Sequence, residues 1–286
     1  MTPMIGRLLL AACLAAPLVS QAVEITAGTA AVVRFRNCIP GVTACDTFSP
    51  LVSEEYGGSP GATSSSVAAI VDGYGTASAS ASFSGTIGAP ILHAYSSSLP
   101  GTRTNAVIVA LQSYTYTGDT DTTRNFGGTL TYDQTLTGTY PDPNDSGTDV
   151  LLEAFTMPAS TVEVGTTAAD NFAALSGQTW SDSNTTWVGA AGFFDDSHSG
   201  SGTATLNMLV PLTPGETIWI LAEVTTPAVN GSIIDVSHTL VTGWDVTSDL
   251  TPAVMSSPVP EPSSWALFGA GFALLLAWRR VVKPTA

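Results

Sequence analysis

Five oxygen-bearing residues fall at regular intervals between positions 142 and 153: Asp142, Asn144, Ser146, Thr148 and Glu153. Oxygen ligands at the first, third and fifth places, a glycine (Gly147) at the sixth, a backbone carbonyl at the seventh and a carboxylate at the twelfth match the spacing of a calcium loop. Asp149 departs from that pattern, because such loops carry an aliphatic residue there. The flanks also alternate like strands, so a polar hairpin loop explains the same residues. Calcium is the one cofactor with a candidate site; no other is expected. Two smaller acidic groupings, Asp119 and Asp121 beside Arg124 and Asp195-Asp196 with His198, read more simply as solvated loops. For nucleophilic catalysis the sequence offers no Gly-x-Ser-x-Gly turn, and His93, His198 and His238 are far apart. With so few histidines and basic residues, the expected body is not an enzyme.

Two observations would change that expectation. Trp180, Trp187, Trp219 and Trp244 can stack on sugars if they line one exposed sheet face, which would mark a carbohydrate-binding module, with or without calcium. Burial in a core is the commoner fate of such residues. A cleft with paired carboxylates, or a Ser–His–acid cluster, would mark a secreted hydrolase.

Residues 1–22 read as a signal peptide. Arg7 supplies the positive start, Leu8–Val19 the apolar stretch, and Ser20-Gln21-Ala22 a small-x-small cleavage site. Leu10-Ala11-Ala12-Cys13 also has lipobox form, but the apolar run continues past Cys13, which disfavours lipidation. In the exported body, Cys38 and Cys45 flank a Pro40-Gly41 turn signal. An even count in an oxidising compartment argues for a disulfide across this short loop.

The body holds 22 acidic residues against four arginines (Arg34, Arg36, Arg103, Arg124) and no lysine. Nothing in it can neutralise a phosphate backbone, so nucleic acid is excluded as a partner. Ser, Thr, Gly and Ala dominate, which suits strands and turns.

Residues 259–286 have a different character. Pro260-Glu261-Pro262 precedes an uncharged run, 265–278, and Arg279-Arg280 follows it. Fourteen residues make a helix of roughly 21 Å, short of the roughly 30 Å hydrocarbon core. Trp265 and Trp278 bracket the run as interfacial aromatics do, and the basic residues place the C-terminus on the cytoplasmic side. A single, marginal transmembrane helix of this kind suits a temporary anchor.

The three parts in this order resemble the PEP-CTERM sorting signal of Gram-negative bacteria. The resemblance implies processing near Pro260, Glu261 and Pro262 by an exosortase, a membrane-embedded cysteine transpeptidase. These three residues would be recognition residues, with Arg279 and Arg280 completing the signal. It also implies export across the inner membrane, transient anchoring, and delivery to the cell surface or an extracellular biofilm matrix in association with exopolysaccharide.

The expected division is therefore signal peptide 1–22, β-sandwich body 23–250, linker 251–258 and sorting signal 259–286. The body reads as about ten strands, all-β and antiparallel, jelly-roll-like. Val23–Arg36 reads as one strand, 46–66 as irregular, and Ala168–Ser176 as a short helix. Thr203–Val210, Thr217–Thr225 and Ile233–Thr242 alternate cleanly and, joined by short turns, predict an antiparallel meander. Ala77–Ser84 alternates Ala and Ser, which calls for a close-packed or edge strand.

Overall fold

The structure is a computed structural model, and it describes residues 22–38, 50–137, 146–159, 161–177 and 185–253. The expected signal peptide and the sorting segment lie outside these residues, apart from Ala22. Among the described residues no helix is long and apolar enough to cross a membrane.

The chain forms β1 (Val23–Ile25), β2 (Ala27–Asn37), β3 (Leu51–Gly57), β4 (Ser64–Val71), β5 (Gly75–Ser84), β6 (Ala89–Ser98), β7 (Thr102–Tyr116), β8 (Thr122–Thr135), β9 (Thr148–Thr156) and β10 (Val162–Val164). After these come helix α1 (Ala168–Leu175), then β11 (Thr186–Asp195), β12 (Gly200–Leu212), β13 (Thr217–Val229), β14 (Ile233–Trp244) and β15 (Leu250–Pro252). Sheet I runs β11-β9-β13-β7-β2-β3, with β15 also on β7. Sheet II runs β12-β8-β14-β6-β5-β4, and β1 pairs β10 apart from both. Every ladder is antiparallel. The all-β antiparallel sandwich expected from composition is what forms.

Pairing is nested. β9 pairs β11, β8 pairs β12, β7 pairs β13 and β6 pairs β14. The expected meander is therefore wrong. β12, β13 and β14 never pair with one another, because each connecting turn carries the chain across to the other sheet. The turn residues themselves are as read: Asn230 and Gly231 take positive φ, 55° and 92°, and Ser232 N–H donates to the Val229 carbonyl. An Asn-Gly turn fixes a reversal of direction; it does not fix whether the next strand stays in the same layer.

Alternation explains the core between the sheets. Leu206, Met208, Val210 and Leu212 of β12 and Ile218, Ile220, Ala222 and Val224 of β13 are buried there. Trp244 packs edge-on against Phe126 (5.1 Å) and Tyr114 (5.5 Å). On β5 the alanines Ala77, Ala79 and Ala81 face this core and the serines face outward, so small residues let the sheets close up at that place.

A second cluster lies on the outer face of sheet I. Val32, Val109, Leu111, Trp219 and Leu221 are covered by Phe172 and Leu175 of α1 and by Ile25, Val162 and Val164 of the β1–β10 pair. This layer explains why the single strand expected over Val23–Arg36 is two. The chain bends at Thr26 so that β1 can leave sheet I and lie over it. Helix α1 is where the sequence puts it, and Thr167 and Asp170 form a reciprocal capping box. β3 lies inside the stretch that reads as irregular. It follows residues 39–49, outside the described set, and its Gly57 is forced: a Cβ there would stand 2.3 Å from the Ser66 carbonyl.

Candidate functional site

The sequence-chosen residues are largely not brought together. Pro260, Glu261, Pro262, Arg279 and Arg280 lie outside the described residues, as do Cys45, Asp142, Asn144 and Trp180. Cys38 follows β2, its N–H donating to the Gly101 carbonyl. Ser146 Oγ accepts from Val229 N–H at 2.9 Å, and Thr148 Oγ1 donates to Gln134 Oε1 in the interior. Thr148 and Glu153 are five positions apart on the extended strand β9, about 16 Å at strand rise, and face opposite sides of it. Ligands of one calcium ion lie within about 2.6 Å of it, so Glu153 does not close a loop with Thr148.

The smaller groupings resolve as structure. Arg124 pairs with Asp249 at 2.5 Å, not with Asp119 or Asp121. Asp195 accepts from Tyr132 Oη at 2.7 Å and from the N–H groups of Ser197 and His198. Burial pushes its carboxyl up, but these hydrogen bonds prevail and hold it below the usual range. Among the described residues no three His, Cys, Asp or Glu side chains converge on a metal position. Trp219 and Trp244 are core residues, and Trp187, 48% exposed, packs on Phe155 at 5.1 Å. No row of exposed tryptophans forms among the described residues. His93 Nδ1 lies 2.8 Å from the Ser237 carbonyl and 3.1 Å from Thr239 Oγ1, with no carboxylate at that nitrogen. It borders a shallow cavity of about 250 Å³ floored by Ser66, Ser78 and Ser80.

The cleft that does carry paired carboxylates is one the sequence did not mark. On the part of sheet I that α1 leaves open, Glu223 of β13 stands opposite Leu151 of β9, with Asp149 and Glu153 two positions to either side. Diagonal neighbours of this kind have Cβ atoms about 7–8 Å apart. A cavity of about 390 Å³ is lined by Asp149, Leu151, Gly192, Phe194, Glu223 and Thr225. Gly192 of β11 removes any wall opposite Leu151, while Phe194, 46% exposed, forms the rim.

Burial raises the Glu223 pKa to about 7. The repulsion of Asp149 and Glu153 adds to this, and the Thr225 hydroxyl donating to Oε1 at 3.1 Å opposes it. Asp149 and Glu153 are also raised by burial. A carboxyl that titrates near neutrality beside other carboxyls is an arrangement able to give and take a proton. The legible signal was Glu223 itself, the one charge in the apolar strand Thr217–Val229.

The last described strand of this antiparallel sandwich precedes, in sequence, a Pro-containing stretch, an uncharged apolar run and a basic pair. The chain carries the PEP-CTERM protein-sorting motif, matched over residues 258–281. No curated protein matches the chain. Among solved structures, the chain is similar to the enzymatically active domain of tailspike protein 4 of bacteriophage CBA120, at 11% identity and a TM-score of 0.24. That alignment covers 64% of this chain and 20% of the tailspike chain. The likeness is too slight to carry an argument about fold or activity.

Proposed function

We propose that this is an exported cell-surface or extracellular-matrix protein. It enters the export route by the signal peptide 1–22 and is held for a time in the inner membrane by a helix over 265–278. An exosortase then cuts it near Pro260-Glu261-Pro262, and its non-catalytic body is left as a structural or exopolysaccharide-associated component. The sorting motif at 258–281 carries this reading. The nested strand pairing supports a jelly-roll-like body, and the identity of Cys38 as a disulfide cysteine supports its pairing with Cys45. The test is the intact mass of the exported protein from cells with and without the processing enzyme. Loss of the residues beyond the Pro-Glu-Pro, only when the enzyme is present, supports the proposal. A chain still ending at Ala286 in both overturns it.

One observation favours a second reading, a secreted glycan hydrolase: the cleft lined by Glu223 and Asp149, with Glu153 two positions along β9 from Leu151. Glu223 would then be the general acid. Release of reducing ends from an acidic or neutral exopolysaccharide, abolished by Glu223→Gln, supports it. No release by the native protein removes it.

A further inference from the structure

We infer that β15 sets the reach of the sorting tail, and so fixes which pole of the sandwich faces the membrane while the tail is processed; this rests on the sorting function proposed above. β15 pairs with Tyr116, Thr115 and Tyr114 of β7, and Ala253 N–H donates to the Ser113 carbonyl at 2.9 Å. Ser113 also holds the start of the body: its N–H and its Oγ both donate to the Thr26 carbonyl, at 3.2 and 2.8 Å. β2 and β15 occupy the same lane beside β7, β2 beginning at the Ala27–Gln112 pair and β15 running towards it from the other end. Beyond Ala253 the lane is already filled by Thr26 and Ala27, so the chain leaves the sheet there. The start of β2 and the end of β15 therefore lie side by side against Ser113.

Six residues, 254–259, separate Ala253 from Pro260. Seven Cα steps span at most about 25 Å. The opposite end of β7 is eleven residues from Ser113, about 37 Å at strand rise. The Pro-Glu-Pro segment cannot pass that far end, so a membrane-embedded enzyme meets it only with the near pole turned to the bilayer. That pole is built from the turns 117–121, 213–216 and 245–249, tied together by hydrogen bonds from Tyr116 N–H to the Glu216 carbonyl and from Thr117 N–H to the Asp249 carbonyl. It presents Asp119, Asp121 and Asp245 to solvent, while Arg124 is taken up by Asp249.

The test uses the full chain in cells that contain the processing enzyme, read by intact mass. Deleting residues 254–257 leaves three Cα steps, about 11 Å, and is expected to lower the processed fraction at least tenfold with no change in the melting of the body. Replacing the four deleted residues with Gly-Ser-Gly-Ser restores processing. Freeing β15 in the deletion background, by Leu250→Ser with Ala253→Pro, restores part of it. If the native chain and the deletion are processed equally, the inference is overturned. If the native chain keeps Ala286, the sorting function itself fails, and the inference with it.

Discussion

The carboxyl of Glu223 makes the stability of the body depend on pH in a direction opposite to that of carboxylates held down by hydrogen bonds, such as Asp170 and Asp195. In the unfolded chain it titrates near its ordinary value of 4.5; in the folded chain it titrates at about 7. Below pH 4.5 the group is neutral in both states, and the fold has its full stability. Between the two values the native state holds a proton that the unfolded state has lost, so stability falls as pH rises and the loss is complete above about 7. The gap corresponds to about 3 kcal/mol. Glu223→Gln keeps the shape and can still accept from the Thr225 hydroxyl, but cannot ionise. The variant and the native mature protein are expected to match at pH 4. At pH 8 the variant is expected to be more stable by up to about 3 kcal/mol, roughly 6–12 °C in melting temperature for a body of this size. Taking the difference between the two proteins removes the general repulsion of an acidic surface, which both share. Asp170 and Asp195, whose carboxyls are held below the usual range, contribute stability that is lost only as pH falls below about 4, outside this window. Urea unfolding at pH 4, 6 and 8 is the assay. An equal midpoint for the two proteins at pH 8, or a variant less stable at every pH, would refute the reasoning.

Three further outcomes follow from packing. Trp244→Ala empties the site where Phe126 and Tyr114 meet the indole and should cost about 3–5 kcal/mol in urea unfolding. Gly57→Ala forces a Cβ against the Ser66 carbonyl and should cost about 1–3 kcal/mol, whereas Gly243→Ala, with no atom within 4 Å of the added methyl, should be neutral or slightly stabilising in the same assay. Thr167→Ala removes the N-terminal cap of α1 and should cost about 1 kcal/mol, and faster amide exchange confined to α1 and its contacts would locate the effect.

Strand positions were legible where one face is apolar and the other polar, as in β12, because period-two alternation reports burial directly. β13 reads as a strand for the same reason, yet Trp219 and Leu221 on its second face are buried too, beneath a layer supplied by β1, β10 and α1. That layer is non-local: nothing near Trp219 in sequence announces Phe172 or Val162. The meander failed for a related reason. Short turns suggest neighbours in one sheet, whereas pairing partners such as β7 and β13 are about a hundred residues apart, and only the closed set of ladders determines them. The calcium spacing presumes a loop that curls around an ion, whereas Thr148 begins a strand that carries Glu153 away along it. Glu223 stood out as a charge in an apolar strand, but its partners Asp149 and Glu153 come from another strand, in a register the local pattern does not state.

The location of Glu223 also tells apart two explanations of the cleft. Sheet I is covered over part of its outer face and open over the rest, and Glu223 sits at the seam, in register with Val109 on the covered side and Leu151 on the open side. A carboxylate needed only to keep the open part soluble would sit farther out, as Asp149 does, where ionisation is less opposed. At the seam, ionising it costs about 3 kcal/mol near neutral pH, and glutamine of nearly the same shape would avoid that cost. Departures from local consistency of this size are retained where they serve a site. A Glu223→Gln body that is more stable at pH 8, folds identically and loses glycan release would assign the seam to chemistry. The same gain in stability with no activity in either protein would leave the cleft as an uncovered sheet face and the sorting tail as the chain's one functional device.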